Sequence, residues 1–76
     1  MITVKLYGLL RIESGIREKQ LEASSIKEVL EALAACGIPG KALNGCLILI
    51  NGSSANKRSR LKDGDTVVLM SPAAGG

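Results

Sequence analysis

The sequence predicts an α+β fold, in which a mixed sheet of four to five strands carries one main helix on one face. Three observations lead to this prediction. An alternating apolar segment opens the chain, an amphipathic helical stripe occupies its middle, and a second apolar segment lies just before the last six residues. The 76 residues correspond to one small domain with a modest core.

The first half of the sheet is predicted from alternation and from glycine. Residues Ile2–Tyr7 alternate apolar and polar side chains, which is the period of a half-buried strand. Leu9–Ser14 followed by Gly15 predicts a helical turn with a glycine cap. The charged segment Ile16–Ala23, with Leu21 as its one firm core residue, predicts an edge strand, because charges discourage pairing with other chains.

The main helix is the clearest element. Ser25 and Glu28 have the spacing of a capping box, in which each residue satisfies a free amide of the first turn. Gly37 is placed to end the helix, and Cys36, one heptad after Val29, is predicted to point inward. The apolar positions follow the helical spacing i, i+3, i+4, i+7 and are Ile26, Val29, Leu30 and Leu33.

The second half of the chain predicts three further strands. Residues 40–45 are predicted to form a loop, and Cys46–Ile50, apolar at every position, predicts a strand with little water on either face. Asn51-Gly52 is a turn signal, and at most a short strand follows in the polar segment 53–60. Thr66–Met70 predicts the last strand, paired centrally with the first.

Two surfaces are candidates for binding a partner. The sheet face away from the helix is predicted to expose alternate residues, with Ile48, Ile50, Val68 and Met70 as the candidates. The polar segment carries Arg58 and Arg60 in a basic run, which is either a solvated loop or a patch that steers an acidic partner. Leu61 is the one large apolar residue there and is predicted to anchor the segment to the core.

Composition excludes several functional classes. The net charge of +3 is mild, and Tyr7 is the only aromatic residue, which argues against nucleic-acid binding by stacking. There is no His, and Cys36 and Cys46 fit neither a redox pair nor a zinc site, so no metal is expected and both are predicted to be buried. The sequence contains no catalytic set, no membrane-length apolar run and no signal peptide, so we expect a cytoplasmic protein that is not an enzyme.

The last six residues are the most informative segment. The domain is predicted to span residues 1–70, and residues 71–76 are predicted to form a flexible tail that neither packs on the core nor caps a helix. Gly75 and Gly76 remove all side chains beside the terminal carboxylate, so the backbone can enter a narrow slot. Pro72, Ala73 and Ala74 keep the tail thin and restrict it. A frayed terminus is the alternative interpretation.

The whole chain resembles the small MoaD/ThiS-type sulfur carriers, which are related to the molybdopterin synthase small subunit and to the thiamin-pathway carrier. The order of the predicted elements matches the β-grasp, or ubiquitin-like, arrangement. Three segments carry the resemblance: Val4–Gly8 with Leu10-Arg11 and Gly15, the run Leu61–Val67 containing Asp-Gly-Asp, and the tail Ser71–Gly76. The proline in the tail is similar to the molybdopterin branch, although Met70 stands where that branch often has an aromatic residue.

The resemblance implies a mechanism in which this chain is a co-substrate. A ubiquitin-activating-like partner adenylates the carboxylate of Gly76 with ATP, and a sulfur donor then displaces AMP to leave a thiocarboxylate. The sulfur passes to a second partner, either the large molybdopterin synthase subunit or another acceptor enzyme. No cofactor is expected on this chain itself, since ATP belongs to the partner.

Two other functions remain open on sequence alone. The same activation can end in an isopeptide bond to a lysine, which would make the chain a protein modifier. A different class is a stand-alone β-grasp module that binds RNA or protein through Lys5, Lys57, Arg58 and Arg60, with an inert tail.

Overall fold

The computed structural model describes residues 1–71 and contains one five-stranded sheet with three helices among those residues. It confirms the predicted fold class. The predicted tail residues Pro72–Gly76 lie outside the described residues. The elements in chain order are β1 (Ile2–Tyr7), α1 (Leu9–Ser14), β2 (Glu18–Leu21), α2 (Ile26–Ala35), α3 (Gly40–Asn44), β3 (Leu47–Ile50), β4 (Ser53–Ser54) and β5 (Thr66–Met70).

The sheet has the order β2-β1-β5-β3-β4. The central strands β1 and β5 are parallel, and all other pairs are antiparallel. This confirms that the first and last strands form the central pair. Because β1 and β5 are parallel and Tyr7 pairs with Met70, the C-terminal ends of both central strands lie side by side.

The core lies between α2 and one face of the sheet. The alternation of β1 buries Ile2, Val4 and Leu6, and Val67 and Leu69 of β5 join them. The predicted stripe of α2 is confirmed, since Ile26, Val29, Leu30 and Leu33 are all buried.

The ends of α2 follow the predicted caps with one difference. The Ser25 hydroxyl accepts a hydrogen bond from the Glu28 amide at 3.3 Å. The Glu28 carboxylate returns to Ser24, one residue before the cap, and accepts from its amide at 2.7 Å and its hydroxyl at 3.0 Å. At the other end Gly37 has φ 101°, and its amide and that of Ile38 donate back to the last turn. This positive φ is the reason for glycine at that position.

The prediction that Cys36 points inward is wrong, because its side chain is exposed. α2 ends at Ala35, and the chain reverses at Gly37, so the helical period does not extend to position 36. Cys46 is only half-buried, although it packs against the core.

The segment predicted as a loop, residues 40–45, contains the short helix α3. The Pro39 carbonyl accepts hydrogen bonds from Ala42 at 3.0 Å and from Leu43 at 3.2 Å. Leu43 is 4% exposed, so one buried side chain holds this turn on the domain. A five-residue helix offers too few positions for a periodic signal.

Two strands are shorter or more exposed than predicted. β2 covers only Glu18–Leu21 of the predicted Ile16–Ala23. β3 begins at Leu47, which is 61% exposed, so the prediction of little water on either face of this strand is wrong. The physical reason is that α2 covers only one face of the sheet.

The polar segment after β4 is fixed to the start of α2. Leu61 is 8% exposed and donates its amide to the Ser24 carbonyl at 2.9 Å. The Ile26 amide donates to the Ser59 carbonyl at 3.0 Å, and Ser25 forms a β-bridge with Arg60. Leu61 is therefore confirmed as the anchor of this segment.

Candidate functional site

The sheet face opposite α2 carries an apolar surface beside the end of β5. Tyr7 pairs with Met70, and Met70 pairs with Leu47, which places these three side chains in one row. Val68 and Leu49 form the next row. Tyr7, Leu47 and Met70 are 39%, 61% and 37% exposed. We call these five residues the outer patch.

The structure divides the residues that were predicted for this face. Val68 and Met70 lie in the outer patch as predicted. The placement of Ile48 and Ile50 there is wrong, because they pair with Leu69 and Val67 and pack against the core. An all-apolar strand does not reveal which alternate residues face the helix, so the sequence could not decide between the two sets.

Ser71 connects the end of β5 to the start of α1. Its hydroxyl accepts a hydrogen bond from the Leu9 amide at 2.6 Å, and its own amide donates to the Tyr7 carbonyl at 3.5 Å. Ser71 was predicted to belong to a tail that caps no helix, and this is wrong, since it satisfies the first amide of α1. The point from which residues 72–76 continue is thereby fixed next to the outer patch.

Gly8 makes this contact possible. It has φ 68°, and a Cβ atom at this position would lie 2.5 Å from the Ser71 hydroxyl oxygen. Both the backbone angle and the close approach require glycine. In the sequence, Gly8 is only the last residue of the segment Val4–Gly8 that carries the family resemblance, and nothing local indicates its long-range contact with Ser71.

A cleft rich in positive charge lies on the other side of Tyr7. It has a volume of about 320 Å³, and its charged residues are Lys5, Arg11, Arg17 and Glu18. Lys5 pairs with Val68, so this cleft borders the outer patch. An apolar centre with a charged flank is typical of a protein interface, in which the flank orients the partner.

Arg58 and Arg60 lie away from the outer patch. Both are exposed, and Arg60 bridges to Ser25 at the start of α2, on the helical side of the domain. The structure therefore does not bring these two residues together with Val68 and Met70 into one surface.

The remaining candidate groups offer no alternative centre. The Cys46 thiol donates to the Leu43 carbonyl at 3.0 Å, and burial raises its pKa, so the reactive thiolate is disfavoured. Within residues 1–71, no group of three or more acidic or cysteine side chains could hold a metal ion. No helix of this part of the chain has the length and apolarity needed to cross a membrane.

Solved structures of other proteins share the whole fold. Subunits 1 and 2 of the molybdopterin-converting factor from Helicobacter pylori 26695, solved as a complex, include a chain with TM-score 0.75 and 26% identity, and the match covers 99% of this chain and 97% of that one. The small archaeal modifier protein 1 from Methanosarcina acetivorans has TM-score 0.80 and 25% identity, with 99% and 95% covered. A chain of the BexX/CysO complex from Amycolatopsis orientalis has TM-score 0.80 and 19% identity, with both chains fully covered.

The order of the strands, with the helix on one face and the end of β5 fixed by Ser71, defines a ubiquitin-like protein of the β-grasp class. The sequence model of the ThiS family matches residues 4–76, and the chain therefore belongs to this family of sulfur carriers. This confirms the resemblance found in the sequence. No curated protein sequence matches the chain significantly.

Proposed function

We propose that this chain is a sulfur carrier whose reactive group is the carboxylate of Gly76, and that it acts as a co-substrate and not as an enzyme. The observation that carries the proposal is the position of Ser71. Its hydroxyl is hydrogen-bonded to the Leu9 amide at the end of β5, beside the exposed outer patch, and the Gly-Gly segment begins four residues later. A partner that covers the outer patch can thus receive the tail in its own active site.

The proposed chemistry places all catalytic groups in the partner. A carboxylate oxygen of Gly76 attacks the α-phosphorus of ATP, and pyrophosphate leaves. A sulfur nucleophile then attacks the acyl carbon, AMP leaves, and a thiocarboxylate remains. Residues 71–76 reach at most about 20 Å when extended, which is long enough for Gly76 to enter the partner while the domain stays outside.

The acceptor that we propose is the large subunit of molybdopterin synthase. The proline at position 72 and the similarity to a molybdopterin-converting factor chain support this choice. The thiamin pathway is the alternative within the same chemistry. Mixing the thiocarboxylate form with each acceptor enzyme and measuring the return of the carboxylate form distinguishes the two.

The experiment that tests the carrier function is intact-mass measurement after incubation with the activating enzyme, ATP and sulfide. We expect one oxygen to be replaced by one sulfur. Gly75→Val, and separately one residue added after Gly76, should abolish pyrophosphate exchange, because an added residue shifts the carboxylate by about 3.3–3.6 Å and a shift near 1 Å can cost about a hundredfold in rate. Exchange that persists in both variants would contradict the proposal.

A protein modifier is the second candidate, and the fold of the small archaeal modifier protein favours it. Conjugation would leave a recognisable product. The sequence has no Lys or Arg after Lys62, so trypsin would leave Asp63–Gly76 attached to the target lysine. A search for this branched peptide decides between the carrier and the modifier. For a stand-alone RNA-binding module, we would instead expect binding that falls steeply with salt and does not need Gly76.

A further inference from the structure

A groove on the helical side of the domain is separate from the outer patch. It has a volume of about 560 Å³ and lies between α2, α3 and the loop after β4. Lys27, Leu30, Glu31 and Ala34 line it from α2, at the spacing of one face of a helix over about two turns. Leu43 contributes from α3, and Leu30 and Leu43 form an apolar floor.

The rim of this groove is positively charged. Lys27, Lys57 and Arg58 stand against Glu31 alone, which leaves two positive charges in excess among the lining side chains. Within residues 1–71, none of the three cations lies within 4.0 Å of a carboxylate oxygen. Their charges are therefore free to pair with those of a partner.

The loop that supplies two of these cations is held in place. The Asn56 side chain accepts a hydrogen bond from the Arg58 amide at 2.8 Å, and the Ser59 hydroxyl accepts one from the Asn56 amide at 3.0 Å. The Lys57 ammonium donates to the Asn44 side chain at 3.1 Å, which connects the loop to the end of α3. A fixed loop reduces the conformational entropy that is lost when a partner binds.

We propose that this groove binds an acidic amphipathic helix of a partner protein. The apolar stripe of such a helix would lie over Leu30 and Leu43, and its carboxylates would face Lys27, Lys57 and Arg58. A helix in a groove between helices is a common mode of peptide recognition. RNA fits less well, because stacking needs aromatic residues and the only one in the chain, Tyr7, lies on the opposite face of the sheet.

The position of the groove has a functional consequence. α2 and the outer patch lie on opposite faces of the sheet, so an occupant of the groove would not cover the outer patch or Ser71. A protein bound in the groove could therefore hold this chain while a second protein acts on Gly76. This would be a docking function in addition to the proposed carrier chemistry.

The test is an NMR titration of the isotope-labelled protein with a synthetic peptide about five helical turns long, with Leu on one face and Glu on the other. A twin peptide with Lys in place of Glu is the control. We expect saturable shifts at Leu30, Ala34, Leu43 and Lys57 with the acidic peptide only. Equal binding of the basic twin, no binding of either, or shifts confined to Leu47 and Met70 would overturn the proposal.

Charge-reversal variants provide the matched comparison. Lys57→Glu with Arg58→Glu should weaken binding of the acidic peptide by at least about tenfold, because both cations face the groove. Arg60→Glu with Lys62→Glu makes the same change of charge on the same segment without altering the lining of the groove. Equal weakening in both variants, or tighter binding of single-stranded RNA than of the peptide at these residues, would refute a specific protein-docking groove. The dispersion of each amide spectrum confirms the fold.

Discussion

At the scale of single residues, Gly8 and Ser71 form the contact that fixes the start of the tail. Ser71→Ala removes the acceptor of the Leu9 amide and should lower the free energy of unfolding by about 0.5–1.5 kcal/mol. Gly8→Ala should cost more, since alanine is strained at φ 68° and its Cβ would lie 2.5 Å from the Ser71 hydroxyl oxygen.

The two changes should not be additive, because Ser71→Ala removes the atom that the new Cβ would meet. A double-mutant cycle in chemical denaturation measures this coupling, and we expect Gly8→Ala to be less costly in the Ser71→Ala background. Equal costs in both backgrounds would show that the Ser71 hydroxyl is not the atom that a side chain at position 8 meets.

At the scale of elements, β3 offers a matched pair of positions on opposite faces. Leu47 is 61% exposed in the outer patch, and its neighbour Ile48 packs against the core. Leu47→Gln should change the free energy of unfolding by less than about 0.5 kcal/mol and reduce pyrophosphate exchange with the activating enzyme. Ile48→Gln should destabilise the domain by about 2 kcal/mol or more, because it buries an amide.

The measurement combines thermal melts of both variants with exchange assays below their melting temperatures. The expected pattern is a stable variant with weakened exchange and a destabilised variant with normal exchange. The reverse pattern would mean that the register of β3 against β5 is shifted by one residue.

The segment between β4 and β5 has Leu61 as its one buried hydrophobic side chain. Leu61→Asp should unfold the domain, because losing a buried leucine costs about 2–5 kcal/mol and burying a carboxylate at this position adds a further cost. Lys62→Asp is the control, because Lys62 is the neighbouring residue and its side chain is exposed. Well-dispersed amide NMR signals from the Leu61→Asp variant would contradict the role of Leu61 as the anchor.

A carboxylate at the start of α2 makes the stability of the domain depend on pH. The pKa of Glu28 is lowered, first by the hydrogen bond from the Ser24 amide and then by the Ser24 hydroxyl. Because its folded pKa lies below the ordinary value of about 4.3, the stabilisation is present above that value and is lost as the pH falls through the folded pKa. The Asp65 carboxyl behaves alike, with the Lys62 amide as the main cause of its lowered pKa.

We therefore expect the melting temperature to fall as the pH decreases from about 5 to about 3, and Glu28→Gln should reduce this fall. Glu31→Gln serves as the control, because Glu31 is an exposed carboxylate of the same helix without a hydrogen bond from residues 1–71. A slope that is the same in Glu28→Gln and in the unaltered protein would contradict the assignment.

The sequence predicted those elements whose signals are local. The alternation of β1, the stripe of α2 and the glycine after it each follow from a few adjacent residues, and all are confirmed. It could not predict α3, which is held on the domain by the single buried side chain of Leu43. It also could not predict which alternate residues of β3 face the core, because that depends on the register of β3 against β5. The Ser71–Leu9 hydrogen bond joins residues 62 positions apart and has no local signal at all.

At the scale of the whole molecule, the two candidate binding surfaces lie on opposite sides of the domain. The outer patch lies on one face of the sheet with Ser71 beside it, and the charged groove lies on the helical side, between α2, α3 and the loop after β4. The charge distribution follows the same division, with one positive cluster beside Tyr7 and another around Lys57. The excess positive charge behind the net charge of +3 is therefore concentrated at two sites and is not spread evenly over the surface.

The parallel pairing of β1 with β5 also decides where a label can be placed. Thr3 pairs with Thr66 at one end of these two strands, and Tyr7 pairs with Met70 at the other end. An extension added before Ile2 would therefore leave the domain about 17 Å away from Ser71. An affinity tag or fluorophore there gives up the contacts of the Met1 ammonium with Asp63 and Glu22. It stays clear of Ser71, so a protein tethered to a surface by that extension would hold Ser71 at the far end of the central strands.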